Sequence, residues 1–362
     1  MKVGLVICGD LGFPSGGFLY DRKLVDTLRR AGDEVDVISL PWDGYAARLA
    51  RGLDPRLHAR LRSFRGDVLL QDELAHPSLA FVNATLRRAR SIPIVSIVHH
   101  LRVSERLGAV SAAAARAAER AYLRSVDAFV FNGQATRETV EALIGAKAPG
   151  IIAPPGGDRL ERTVTEEHAA ARAREPGPLR ILFVGNLIPR KGLLVLLRAL
   201  ASLPQGECSL TVAGSEKADP SHARALHQFV DAHGLRGAVC FAGHLSDPDL
   251  SLHLGASHVL AVPSQYEGFG IVYLEAMGFG VVPIGSSAGG AREVIRDGTS
   301  GFLVPPGDWE ALGRTLQRLA RDRPLLQARS AAALRCFREH PGWERSMTQI
   351  RGWLASLAAG RR

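Results

Sequence analysis

LRILFVGNLIPRKGLLVLLRAL, Leu179 to Leu200, decides the fold. It opens with a continuous apolar run that Gly185 closes, and Lys191-Gly192 then begins a stretch with helical spacing. An unbroken apolar strand needs cover on both faces, and a following helix supplies it, so the segment reads as one βα unit of a parallel sheet. The pattern recurs along the chain. KVGLVIC, EVDVISL, DVLLQ, PIVSIV, DAFVFN and GIIAP precede it, and CSLTVAG, AVCFAG, HVLAVPS and VVPIG follow it. Amphipathic segments rich in Arg and Ala separate these runs. Two such sets predict an α/β chain of two doubly wound, Rossmann-like parallel-sheet domains.

The break between the sets lies in Pro154–Pro178, a polar stretch rich in Pro and Gly. We expect an N-terminal domain over 1–157, a linker over 158–178, a C-terminal domain over 179–340 and a C-terminal helix within 341–362 that packs back toward the N-terminal domain. Trp343, Met347, Ile350 and Trp353 share a stripe of that helix. The four cysteines are scattered without a CxxC pair, so neither disulfides nor a zinc site is expected, and the pattern suits a reducing, cytoplasmic setting. No apolar run approaches the roughly 20 residues that span a bilayer. The net charge of +9 suits an anionic partner such as nucleotide phosphates or lipid headgroups, or simply reflects an Arg-rich proteome. No base-stacking aromatic pattern accompanies it, which argues against nucleic acid.

Open α/β sheets bind ligands at the carboxyl ends of their strands, so the residues there carry the functional reading. GDLGFPSGGF, Gly9 to Phe18, lets backbone approach a phosphate or sugar, but it is not GxGxxG. The second strand ends ISLPW without an acid for a dinucleotide ribose, which weakens a dehydrogenase reading. Arg190 and Lys191 stand where a diphosphate can meet two cations and a helix N-terminus; a surface Arg-Lys pair is the plainer alternative. SQYEGFGIVYLEAMGFG, Ser264 to Gly280, places Glu267 in a loop and Glu275 inside a helix. The amides of Phe269, Gly270 and Ile271 lie at that helix's start and can donate to an anion. Glu275 is placed to accept from vicinal ribose hydroxyls, and Glu267 from a sugar. Each glutamate alone reads equally as a solvated or capping residue.

Together these residues resemble retaining glycosyltransferases of family 4, which have the GT-B fold. EGFGIVYLEA resembles their E-x7-E signature, FVGNLIPRKGLLVLLRAL their phosphate-binding strand and helix, and PPGGD their domain-end turn. GGAREVIRDGTSGFLVPPGDWEAL, SGGF and PIVSIVHH extend the resemblance over most of the chain. It implies two Rossmann-like domains facing a central cleft, the first binding the acceptor and the second a nucleotide-diphosphate sugar. It implies retaining, metal-independent transfer to an acceptor hydroxyl by a front-face mechanism, with the nucleotide sugar as co-substrate and no cofactor. Carried over residue by residue, Glu275 takes the donor ribose, Glu267 the transferred sugar, and Arg190 and Lys191 the leaving diphosphate. Gly16 and Gly17 line the centre of the cleft, Gly185 and Asn186 border the donor, and His99 contacts the donor sugar. Two departures stand out: His100 replaces an acid common in the family, and Asn186 an arginine. A non-catalytic sugar-nucleotide-binding protein, or another GT-B enzyme such as an inverting transferase or epimerase, is the alternative.

Three further segments carry weaker signals. Asp247 and Asp249 form a DxD, but they begin a helix and read as capping residues rather than a metal site. Asp72, Glu73 and His76 follow the third strand and either face the acceptor or lie in a solvated loop. Arg48–Gly66 places leucines at 49, 53, 57 and 61 among six arginines. Read as one basic amphipathic helix, 48–65 either touches an anionic membrane, with a lipid or lipid-linked saccharide as acceptor, or buries its leucines in the core.

Overall fold

The computed structural model describes residues 1–89, 92–104, 109–162 and 164–360. The chain divides into two compact units, Met1–Pro155 with Trp343–Arg362, and Gly156–Gly342.

Among the described residues, the first unit is built on a six-stranded sheet in the order β2-β1-β3-β4-β5-β6. Its strands are β1 (Lys2–Cys8), β2 (Glu34–Leu40), β3 (Val68–Asp72), β4 (Ile94–Val98), β5 (Ala128–Phe131) and β6 (Gly150–Ile152), all paired in parallel. β3 and β4 are buried along their whole length, as continuous apolar runs in a doubly covered sheet should be. The helix Trp343–Ala359 packs on the helix Gly16–Arg30 of the same unit. It buries Trp343, Met347, Ile350 and Leu354, with Leu354 taking the stripe position given to Trp353, and Arg351 Nε pairs with Asp33 Oδ2 at 2.6 Å.

The second unit holds a sheet in the order β12-β11-β10-β7-β8-β9. Its strands are β7 (Leu179–Val184), β8 (Cys208–Ala213), β9 (Val239–Gly243), β10 (Val259–Val262), β11 (Val282–Ser286) and β12 (Phe302–Val304). They too are parallel. One apolar core runs through this unit, from Leu182, Leu196 and Val259 to Tyr273 and Leu316. The predicted α/β class and both parallel sheets hold; β12, three residues long, was absent from the sequence pattern.

Two expectations about local structure need correction. Arg48–Phe64 is not one helix. It forms two short helices, Tyr45–Arg51 and Pro55–Ser63, parted at Gly52-Leu53. Asp54 caps the second through the Arg56 N–H, and Pro55 starts it. The break turns Leu53 outward, 68% exposed, while Leu57 and Leu61 enter the core. Each of the latter contributes roughly 1.5–3 kcal/mol by burial. Residues 158–178, expected as a linker, include the helix Glu166–Arg174, capped by Thr165 and integral to the second unit. Its Arg172 is buried and donates to the carbonyls of Gly255 (2.7 Å), Phe279 (2.8 Å) and Gly280 (3.0 Å). Burial lowers the Arg172 pKa to about 10, so these acceptors serve a cation that still holds its proton at neutral pH.

Candidate active site

The second unit carries a topological switch point. β7 comes first in the chain, β8 pairs on one side of it and β10 on the other, so the connections diverge at β7/β10. Ligands of such sheets bind beyond the carboxyl ends of those two strands. Gly185 and Asn186 follow β7 there, and a 3-10 turn, Pro189–Lys191, leads into Gly192. Gly192 has φ of +75°, and a Cβ on it would lie 2.1 Å from the Pro263 carbonyl oxygen just past β10. Only glycine brings the two loops this close.

That approach joins the residues the two loops carry. Lys191 Nζ donates to both Glu267 oxygens at 3.1 and 2.9 Å, and Ser264 Oγ donates to Oε2 at 3.0 Å. Gln265 N–H donates to the Arg190 carbonyl at 2.8 Å, and Arg190 Nη1 donates to the Tyr266 carbonyl at 3.3 Å. Burial pushes the Glu267 carboxyl up, but the Lys191 and Arg190 charges outweigh it and hold the pKa below the usual range. Lys191 and Glu267 thus form an ionised pair, with the Arg190 charge close enough to act on the same carboxylate. Phe269, Gly270 and Ile271 follow at once; Gly270 starts the helix Ile271–Gly278 with no side-chain cap, so the first-turn N–H groups are aimed at the loop.

Glu275 lies in that helix, buried, and accepts from Arg159 Nε at 2.8 Å on Oε1. Burial raises its pKa and Arg159 opposes the rise. Arg159 also pairs with Asp247. Asp247 therefore serves an ion pair, Asp249 accepts from Ser246 Oγ, and Ser246 is the N-cap of the helix Asp247–Ala256. Arg159 is a site residue that sequence reasoning missed. It stands in a Pro- and Gly-rich stretch with no periodic signal.

The first unit gathers a second constellation. Ser15 caps the helix Gly16–Arg30, and Gly16 and Gly17 begin it. A Cβ on Gly17 would stand 3.2 Å from His99 Cδ2, so Gly17 packs against the imidazole. One turn on, Asp21 Oδ1 lies 3.1 Å from His99 Nε2. Glu73 accepts from the His99 N–H at 2.7 Å and the His100 N–H at 3.3 Å. Asp21, Asp72, Glu73, His76 and His99 are all buried, so the solvated-loop reading of 72–76 fails. Burial opposes charge on His99, but the Asp21 carboxylate, then Glu73 and Asp72, outweighs it and raises the pKa to about 10. Burial likewise pushes Asp72 well up and Glu73 to about 7. Asp21, Asp72 and His99 also bring ligand atoms within 4.8 Å of one another, the spacing of a metal-binding group. Asp21 was missed because one acid on an amphipathic helix carries no signal until the fold brings a histidine to it.

Against known families, residues 164–335 match the description Glycosyl transferases group 1, and residues 16–156 match Glycosyl transferase 4-like domain. A GDP-mannose-dependent alpha-(1-6)-phosphatidylinositol monomannoside mannosyltransferase of Mycolicibacterium smegmatis is 29% identical over 298 residues, covering 78% of this chain and 74% of that protein. A sucrose-phosphate synthase from Thermosynechococcus elongatus superposes with a TM-score of 0.83 at 21% identity, covering 99% of this chain and 100% of the other. Anabaena HepE in complex with UDP-glucose gives 0.78 at 20% identity, covering 98% and 100%. The two structural likenesses show the shared GT-B fold. Among the described residues, no helix is long and apolar enough to cross a membrane.

Proposed function

The chain belongs to the group 1 glycosyl transferases, and from that premise we propose that it moves a sugar from a nucleotide-diphosphate donor to an acceptor hydroxyl, with retention of anomeric configuration and without a metal. The observation that carries this reading is the Lys191–Glu267 pair beside Arg190, at the switch point and at the start of an uncapped helix. A diphosphate there meets Lys191, Arg190 and the first-turn amides, the groups that suit it. The other Glu275 oxygen accepts from the donor ribose, and Glu267 accepts from hydroxyls of the transferred sugar. Nucleotide sugars name the donor of the mannosyltransferase relative and the ligand of HepE, which supports the donor class here.

In the step itself the bond between the anomeric carbon and the phosphate oxygen breaks. A bond to the acceptor oxygen forms on the same face. The acceptor proton passes to the departing phosphate oxygen, so no separate base is required. Lys191, Arg190 and the helix amides stabilise the charge that grows on the phosphate, and fixed donors of this kind usually supply most of the rate enhancement in such a site. Lys191→Ala should lower turnover by about 10²-fold, the usual effect of losing one transition-state donor. Turnover should persist in excess EDTA. Near-normal turnover of Lys191→Ala would remove Lys191 from the reaction, and a metal-reversible loss in EDTA would overturn the metal-independent mechanism. Measuring the anomer of the product decides retention against inversion.

A further inference from the structure

Arg159 is paired twice. Its Nε donates to Glu275 Oε1 at 2.8 Å, and its Nη1 donates to Asp247 Oδ1. The two acids stand on different elements. Glu275 lies in the helix that follows β10, and Asp247 opens the helix that follows β9. Both helices start beyond the carboxyl ends of their strands, where this sheet presents its ligands. Arg159 belongs to neither; it lies four residues after Pro155, outside any helix or strand. Packing holds its segment against the helix Ile271–Gly278. A Cβ on Gly157 would lie 2.7 Å from Leu274 Cβ and 3.0 Å from the Leu274 carbonyl carbon, so only glycine lets the chain pass this close. Further on, the Arg162 guanidinium lies 4.5 Å from the Phe337 ring, which also borders Gly157. Arg159 stands between these two contacts in sequence, so its backbone is fixed beside Glu275.

The pairing decides what Glu275 can do. Its side chain is buried, and burial raises its pKa while the Arg159 charge opposes the rise. Arg159 therefore favours the ionised form, which accepts hydrogen bonds on both oxygens. Oε1 is committed to Arg159, and among the described residues nothing donates to Oε2. A guanidinium is planar and rigid, so gripping Asp247 with Nη1 fixes the direction in which Nε meets Glu275. The carboxylate is thereby held in one orientation, with one oxygen left for a ligand.

We propose that Arg159 is a positioning residue for the nucleotide's ribose: it turns Glu275 so that Oε2 accepts from the vicinal 2′- and 3′-hydroxyls, and Asp247 steadies it from the other side. The proposal rests on reading Glu275 as the ribose acceptor. It makes the donor site selective for ribose over deoxyribose, and it assigns that selectivity to a residue that acts through Glu275.

The ratio of two affinities tests this. Full-length protein is titrated by calorimetry with UDP, GDP and ADP, and the tightest of the three is compared with its 2′,3′-dideoxy form. In the wild type, loss of both hydroxyls should raise Kd by about 30-fold or more, the effect of losing hydrogen bonds to a charged group. Arg159→Ala should raise the Kd of the ribonucleotide by about tenfold and leave that of the dideoxy form within about twofold, so the ratio collapses. Arg159→Lys keeps the charge but not the fork and should fall between. Glu275→Gln should lower the ratio too, and adding Arg159→Ala to it should change the ratio no further, because the arginine acts through that carboxylate. A merely structural role weakens both forms together; that outcome, or a ratio that Arg159→Ala keeps, overturns the proposal. If Arg159→Ala fails to fold, Arg159→Lys decides by the same ratio. A wild type that binds no nucleoside diphosphate sinks the transferase reading and the proposal with it. One that binds the ribo and dideoxy forms equally leaves the donor class standing and overturns the proposal alone, by removing the ribose from Glu275.

Discussion

His99 is held as a cation inside a core, and that has a pH signature. Its pKa in the fold, about 10, exceeds the unperturbed value of about 6.5. A raised pKa means the folded state binds the proton more tightly, so this stabilisation is complete below pH 6.5 and is lost as pH climbs toward 10. Glu73, raised from 4.5 to about 7, acts in the same direction over a lower window. Urea midpoints should therefore fall between pH 6.5 and 9, and Asp21→Asn should flatten that slope because it removes the largest charge that favours the imidazolium. An identical slope in Asp21→Asn would detach His99 from Asp21. Arg159 makes the second residue-level case. Arg159→Ala strands Glu275 as a buried carboxylate and should cost about 3 kcal/mol, the low end for a broken buried pair, since the Arg159 side chain is 19% exposed. Adding Glu275→Gln to Arg159→Ala should recover most of that loss. A urea midpoint for Arg159→Ala equal to the wild type would show that water already satisfies Glu275.

At the level of elements, the site depends on two loops held together by one glycine. Gly192→Ala meets both a left-handed backbone penalty and a carbonyl oxygen 2.1 Å away, so it should destabilise by about 2–4 kcal/mol and weaken donor binding with it. An unchanged urea midpoint would mean the loops can part at little cost. Most strands were legible from sequence because a strand covered on both faces must be apolar throughout, as β3, β4 and β10 are. The segment 48–64 was misread for a different reason. Four-residue leucine spacing suits one long helix, but Gly52 and the Asp54-Pro55 cap impose a boundary that the spacing alone does not register. β12 was missed because three residues are too few to show any period.

Across the whole molecule, residues that act through backbone motifs were the ones visible in sequence. Lys191, Gly192, Glu267 and Gly270 stand in short contiguous segments at strand ends, so the βα pattern alone places them. Asp21, Glu73 and Arg159 act through partners 26 to 116 residues away, and only the fold brings those together. Arg56, Arg60 and Arg62 lie exposed on the helix whose Leu57 and Leu61 are core. Each arginine near an anionic surface contributes about 1 kcal/mol, so changing all three to Glu should cut co-sedimentation with phosphatidylserine vesicles by about a hundredfold at low salt. Binding that the reversal leaves unchanged would return these arginines to solvent.

Lys191 and Glu267 are proposed as the seat of a nucleotide-diphosphate sugar, and everything else about the reaction depends on that. The most direct test melts the wild type and Lys191→Ala with a panel of UDP-, GDP- and ADP-sugars. At a hundredfold over its Kd, the true donor adds about 2.7 kcal/mol, or roughly 5–10 °C for units of this size. Such a shift is expected in the wild type with at least one member, and its loss or near loss in Lys191→Ala. No shift with any nucleotide sugar, or a shift of the same size in the variant, would contradict the assignment.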